Sequence, residues 1–135
     1  MAKTFSYSAK EKLKSRKILD ELFAGGSSFS LFPIKVIYKE IPQPLDFPVK
    51  AGVGASSKRF KNATDRNRIK RLLRENYRLN KLPLIEFATN NNKGLAVFFL
   101  FIDKTLPDYH LLQSKMPLVI DKLINRLNEN LSPNT

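Results

Sequence analysis

Apolar residues recur along the chain in two rhythms, one helical and one of strand type, and their order outlines the fold. Ile18, Leu19, Leu22 and Phe23 fall at helical spacing, with Ser15 placed to cap the first turn and Gly25-Gly26 placed to stop the last. Pro33 then opens a partly alternating run, Ile34 to Glu40, that predicts a strand with Ile34, Val36 and Tyr38 on one face and Lys35, Ile37 and Lys39 on the other. Ile41 to Pro48 contains three prolines and reads as a loop. Val49 to Ser57 reads as a second strand, loosened at Gly52 and Gly54, where another group can approach the backbone closely.

A long helix follows. Asn62 or Thr64 can cap it, and neither Gly nor Pro interrupts it before Asn80. At about 100° per residue, Ile69, Leu72, Leu73 and Leu79 gather on one side with Asn76 among them. Arg66, Asn67, Lys70, Arg71, Arg74 and Arg78 gather around the other, with Arg68 at the edge of the apolar stripe and Tyr77 beside the basic one. Glu75 stands four residues after Arg71 and can steady it. Leu82 to Phe87 either extends this helix or starts a short new one, since Pro83 interrupts. After the turn cluster Asn90 to Gly94, the continuous apolar run Leu95 to Ile102 predicts a central strand buried on both faces. A last helix spans about Tyr109 to Leu131, with Pro117 set to break or begin it. Residues 1–14 read as a basic, extended arm and 132–135 as a frayed tail. The order α–β–β–α–β–α predicts one sheet with helices packed on it, an α+β sandwich forming a single domain over residues 1–135. If the strands flanking the basic helix are parallel neighbours, that helix is a βαβ crossover, right-handed by default.

Charge changes the picture most. The stretch Lys58 to Lys81 holds ten Lys or Arg against two acids, so it carries most of the formal net charge of +12. A solvated helix usually mixes signs, and repulsion at this density destabilises it. One face that packs and one almost wholly cationic therefore point to a polyanion. Arg outnumbers Lys between Arg66 and Arg78, and its planar fork suits phosphate oxygens.

Other chemistry is sparse. The chain has no Cys and one His, His110, which leaves no thiolate metal site and no Ser/His/Asp arrangement to assemble with conviction. Asp65, Glu75, Asp103 and Asp108 are scattered, each reading as a cap, ion-pair partner or loop residue. The longest apolar run is too short to span a bilayer, and the first residues have no signal-peptide pattern. A cytoplasmic protein that binds nucleic acid and no membrane is expected.

The run Arg66-Asn67-Arg68-Ile69-Lys70-Arg71-Leu72-Leu73-Arg74-Glu75 resembles the RNR signature of the protein subunit of bacterial ribonuclease P. Its approach, Ser57-Lys58-Arg59-Phe60-Lys61-Asn62-Ala63, is similar to the family's segment there, with Thr64 where Val is common. Leu13-Lys14, Ile18, Leu22-Phe23 and Gly25-Gly26 resemble the family's amino-terminal helix, so the likeness covers roughly residues 5–103.

The resemblance implies an α/β sandwich of the ribosomal-protein type, with a mixed sheet of about four strands, three main helices and a left-handed crossover through the RNR helix. It implies a catalytic RNA subunit that uses Mg²⁺ to cleave precursor tRNA, leaving the mature 5′ end, with no catalytic residue in the protein itself. The implied partners are that RNA and precursor tRNA, not DNA. By position, Arg66, Arg68, Lys70, Arg71 and Arg74 would contact RNA phosphates, and Asn67 would hydrogen-bond RNA or brace the helix start. A cleft for the 5′ leader would use Phe23, Leu19 and Tyr38, with Ile37 the alternative to Tyr38 and with Lys58 and Arg59 at the rim. The resemblance picks out no metal ligands. A ribosomal protein of similar fold and a protein-only nuclease are the competing readings; the RNR run counts against the first and the missing metal site against the second.

Overall fold

The computed structural model describes residues 9–41 and 47–131, so the first eight residues, most of the proline loop and the tail lie outside it. Helix α1 (Arg16–Gly25) starts where Ser15 Oγ accepts the Ile18 amide at 3.3 Å and ends where Gly26 N–H reaches Leu22 O at 2.8 Å. Strands β1 (Ser27–Leu31), β2 (Ile34–Ile41), β3 (Val49–Ala55) and β4 (Gly94–Phe101) form one mixed sheet in the order β1-β2-β4-β3. β1/β2 and β2/β4 are antiparallel and β3/β4 parallel. Parallel neighbours need a long connection, and helices α2 (Ala63–Asn80) and α3 (Leu82–Asn90) supply it. Helix α4 (Tyr109–Leu131) closes the chain.

Side chains alternate across a strand, and here the alternation separates two environments. Val36, Val49, Val97, Phe99 and Phe101 face the main core, where Ile69, Leu73 and Tyr77 of α2, Leu84 and Ala88 of α3 and the apolar stripe of α4 cover them. The opposite face packs a smaller cluster, Leu13, Leu22, Ile37 and Ala96, beneath α1. Lys122 and Arg126 of α4 lie over the ring of Phe29, 5.3 and 5.2 Å from its centroid, and hold edge strand β1 to the core.

Four expectations are corrected and one open alternative is resolved. β1 escapes the sequence reading because Phe29 is its sole buried residue and the rest is mostly serine. Of the two readings of Leu82 to Phe87, the short new helix is the one formed: α3 stands as a fourth helix, and Pro83 sits in its first turn, where no amide partner is needed. α4 runs through Pro117 without a break, and both Pro117 and Gln113, whose carbonyl loses its partner, lie on the solvent side. β4 is not buried on both faces throughout: Phe98 and Leu100 are partly open.

The fourth correction is to the arm. Residues 9–14 are docked: Ala9–Glu11 forms a 3₁₀ turn, Lys12 bridges to Ala51, and Leu13 N–H donates to Ala51 O at 3.0 Å. This covers the outer edge of β3. The anchor is an ion pair between Glu11 and Lys81 with both side chains under 5% exposed, tying the amino-terminal segment to the α2–α3 junction. Breaking such a pair strands a charge in the interior, at a cost of about 3–5 kcal/mol, whereas replacing both partners by apolar groups costs far less. Glu11→Leu or Lys81→Met is therefore expected to lower the urea-unfolding free energy by about 3 kcal/mol, and the double variant to recover most of it. Equal, additive losses would mean the pair is not coupled.

Candidate nucleic-acid interface

α2 begins at Asn62, whose Oδ1 accepts the Thr64 amide at 3.1 Å; of the two candidate caps, Asn62 serves. Its buried positions are Ile69, Leu73, Asn76 and Tyr77, the i, i+4, i+7, i+8 spacing of one helical stripe. Tyr77 is thus in the core beside Phe99, ring centroids 5.3 Å apart, rather than beside the cations, and Leu79 on the flank is exposed. Asn76 Nδ2 donates back to Leu72 O at 2.9 Å. Glu75 pairs with Arg78 at 2.8 Å and not with Arg71. The hydrogen bond that Arg78 donates to the Glu75 carboxylate is the main cause holding the Arg78 guanidinium above its ordinary pKa. Arg78 is thereby partly neutralised.

The RNR residues separate. Asn67, Arg68, Arg71 and Arg74 are exposed and Lys70 is half-buried. Arg66 lies closer to the buried stripe than its neighbours, and its Nη1 donates to the carbonyls of Phe60 and Lys61 at 2.7 and 3.0 Å. The first arginine of the signature is thus engaged with its own chain.

Beside α2 lies a cleft of about 320 Å³ lined by Lys12, Leu13 and Lys14, by Leu19 of α1, by Ala51, Gly52 and Val53 of β3, by Arg74 of α2 and by Phe98 of β4. Its floor depends on two glycines. A Cβ at Gly52 would stand 3.0 Å, and one at Gly54 2.7 Å, from the ring of Phe98. The close approach that the glycines suggest is made by that ring, which lies across β3. Phe23, about half exposed, meets Phe98 edge-on with centroids 5.1 Å apart. An aromatic and apolar floor beside Lys12, Lys14 and Arg74 suits bases stacked on rings and phosphates held by cations.

Of the expected cleft residues, Leu19 lines the cavity and Phe23 abuts its aromatic floor. Tyr38 does not face the cleft: it is buried on the opposite face against Phe29, with centroids 6.1 Å apart, and Ile37 shares the cleft-side cluster with Leu13 and Leu22. Strand alternation places Tyr38 with Val36 and so decides between the two. Lys58 and Arg59 are exposed in the turn after β3, beyond the lining residues. Phe98 was missed, and Lys12 and Lys14 read as arm cations without a place at the cleft. Phe98 is hidden in a uniformly apolar run, and the lysines sit in a segment that reads as an arm.

Among the described residues, no three His, Cys, Asp or Glu side chains come together as a metal site. Glu11, Glu40 and Glu75 pair with Lys81, Lys93 and Arg78. Asp103 and Asp108 accept backbone amides, and His110 is exposed beside Gln113. No helix is long and apolar enough to cross a membrane among the described residues.

Comparison with known proteins agrees with this architecture. The family model described as Ribonuclease P matches residues 7–102. A ribonuclease P protein component from Porphyromonas gingivalis is 32% identical over 113 residues, covering 84% of this chain and 82% of that protein. The solved RNase P protein of Staphylococcus aureus superposes with a TM-score of 0.64 at 18% identity, covering 84% of this chain and 94% of that one. The Thermotoga maritima RNase P protein gives 0.58 at 19%, covering 83% and 96%. The RNR helix, the mixed four-stranded sheet and these matches lead to one assignment: the chain belongs to the ribonuclease P protein component family.

Proposed function

We propose that this chain binds the catalytic RNA of ribonuclease P through the exposed face of α2 and holds the 5′ leader of precursor tRNA in the adjacent cleft, assisting Mg²⁺-dependent removal of the leader in the cytoplasm. The observation that carries this reading is the adjacency of two unlike surfaces, an arginine-rich helix face and an aromatic cleft rimmed by lysines, with Arg74 bordering both.

The division of labour follows from the chemistry of each surface. Arg68 and Arg71 present planar forks along a rigid helix, suited to a folded RNA whose phosphates stay in fixed positions. The cleft presents rings and flexible ammonium groups, suited to a single strand of variable sequence, because every base has a π-face. Held there, the leader adds affinity that mature tRNA lacks. Cations beside the RNA also relieve phosphate repulsion, which lowers the Mg²⁺ concentration needed for assembly. Mg²⁺ belongs with the RNA subunit in this account, and the protein's role is positioning.

The direct test is cleavage of precursor tRNA by the catalytic RNA at low Mg²⁺, with and without the protein, and by the protein by itself. Cleavage at the mature 5′ end is expected when both are present, and cleavage by protein without RNA would overturn the account. Arg68→Ala and Arg71→Ala should each weaken binding to the catalytic RNA and reduce the slope of log affinity against log salt by about 0.7–0.9; unchanged slopes would place the RNA on another face. Phe98→Ala should leave catalytic-RNA affinity intact and cut the preference of the holoenzyme for precursor over mature tRNA by about tenfold. An undiminished preference would remove the leader from the cleft.

A further inference from the structure

The seven residues between β3 and α2, Ser56 to Asn62, carry three cations, Lys58, Arg59 and Lys61, all exposed. A turn of this composition repels itself and would not hold one shape unaided. Five contacts hold it. The Ser56 carbonyl accepts from Phe60 N–H at 3.0 Å, and Ser56 Oγ accepts from Lys58 N–H at 3.2 Å. The Phe60 ring is buried beside Phe101, centroids 6.0 Å apart. The carbonyls of Phe60 and Lys61 point back at α2, where Arg66 Nη1 takes both.

From these contacts we propose that Arg66 is a positioning residue: it acts on RNA by pinning the Ser56–Asn62 turn, so that Lys58 and Arg59 stand at fixed places beside the α2 face. Two features separate it from Arg68 and Arg71. It lies at the border of the buried stripe, and it satisfies two carbonyls outside any helix or strand, of which the part-buried one, Phe60 O, is costly to leave without a donor. A guanidinium at this spot also sets a fixed positive charge under the turn, so the lysines and Arg59 are pushed outward toward their phosphates. The inference rests on the proposed role of α2 in binding the catalytic RNA, but its first consequence is visible in the free protein.

The experiment combines amide hydrogen exchange on the free protein with titration of the catalytic RNA, using Arg66→Met, Arg66→Lys and Arg71→Met. Arg66→Met should speed exchange in the Ser56–Asn62 turn by about tenfold or more. Arg66→Lys should restore protection, because one nitrogen makes both contacts and an ammonium can do the same. Arg71→Met should leave the turn unchanged. In RNA titrations the loss from Arg66→Met should largely vanish when Lys58→Ala and Arg59→Ala are already present, since the pinned cations are then gone. Turn protection unaltered by Arg66→Met would overturn the proposal, as would an RNA-binding loss equally large in both backgrounds. If Arg71→Met fails to weaken RNA binding while the exchange result holds, the reading of the α2 face fails and the pinning role stands.

Discussion

The cleft in this fold follows from a shortage of cover. The central strands are eight residues long, about 27 Å, whereas α1 has ten residues and is about 15 Å long. One short helix cannot shield that whole sheet face. It covers Ile37 and Ala96 with Leu22 and leaves Phe98 and Leu100 partly open. An open stretch of this kind costs hydrophobic free energy, and the chain limits that cost locally. Glycines on β3 let the Phe98 ring lie down across the neighbouring strand, and the amino-terminal segment folds back along the outer edge of the sheet. The remainder is a cleft with an aromatic floor. The other face, covered by α2, α3 and α4, supplies the stability that lets this one stay open.

The same economy governs charge. α2 concentrates cations that repel one another, and it is held by what lies beneath them: Ile69, Leu73 and Tyr77 in the main core, and a side-chain cap at Asn62. Not every cation is spent alike. Arg78 is tied to Glu75, Lys81 to Glu11, and Arg66 to backbone carbonyls. Arg68, Arg71 and Arg74 remain exposed on the helix, with Arg74 turned to the cleft. A sequence motif that reads as a uniform phosphate-binding run thus resolves into residues left exposed for the proposed RNA contact and residues tied to groups of their own chain.

Much of this was legible in the chain. Helical spacing located α1 and α2, partial alternation located β2 and a continuous apolar run located β4, and the caps at Ser15 and Asn62 follow from short side-chain acceptors in front of apolar periodicity. The cationic face is visible because a helix sorts residues by angle. What escaped did so for physical reasons. β1 is recruited by hairpin pairing with β2 and needs little apolar content of its own. Phe98 is indistinguishable in sequence from Phe99, because a continuous apolar run does not say which face loses its cover. Glu11 and Lys81 are 70 positions apart, and a buried pair at that separation leaves no local signal. The likeness left Tyr38 and Ile37 as alternatives for the cleft, and the shared face of Tyr38 and Val36 becomes decisive only once the core is known to lie on that face.

The central claim is that two neighbouring surfaces hold two different RNAs. The chain has no cysteine, so a single introduced one can carry a photo-crosslinker unambiguously. The measurement is crosslink mapping in the assembled holoenzyme from Asn67→Cys on α2 and from Lys14→Cys at the cleft. The account predicts that the α2 probe marks the catalytic RNA with or without substrate, and that the cleft probe marks the 5′ leader and appears only with precursor tRNA. Both probes marking the same RNA strand, or the cleft probe reacting equally with mature tRNA, would contradict it.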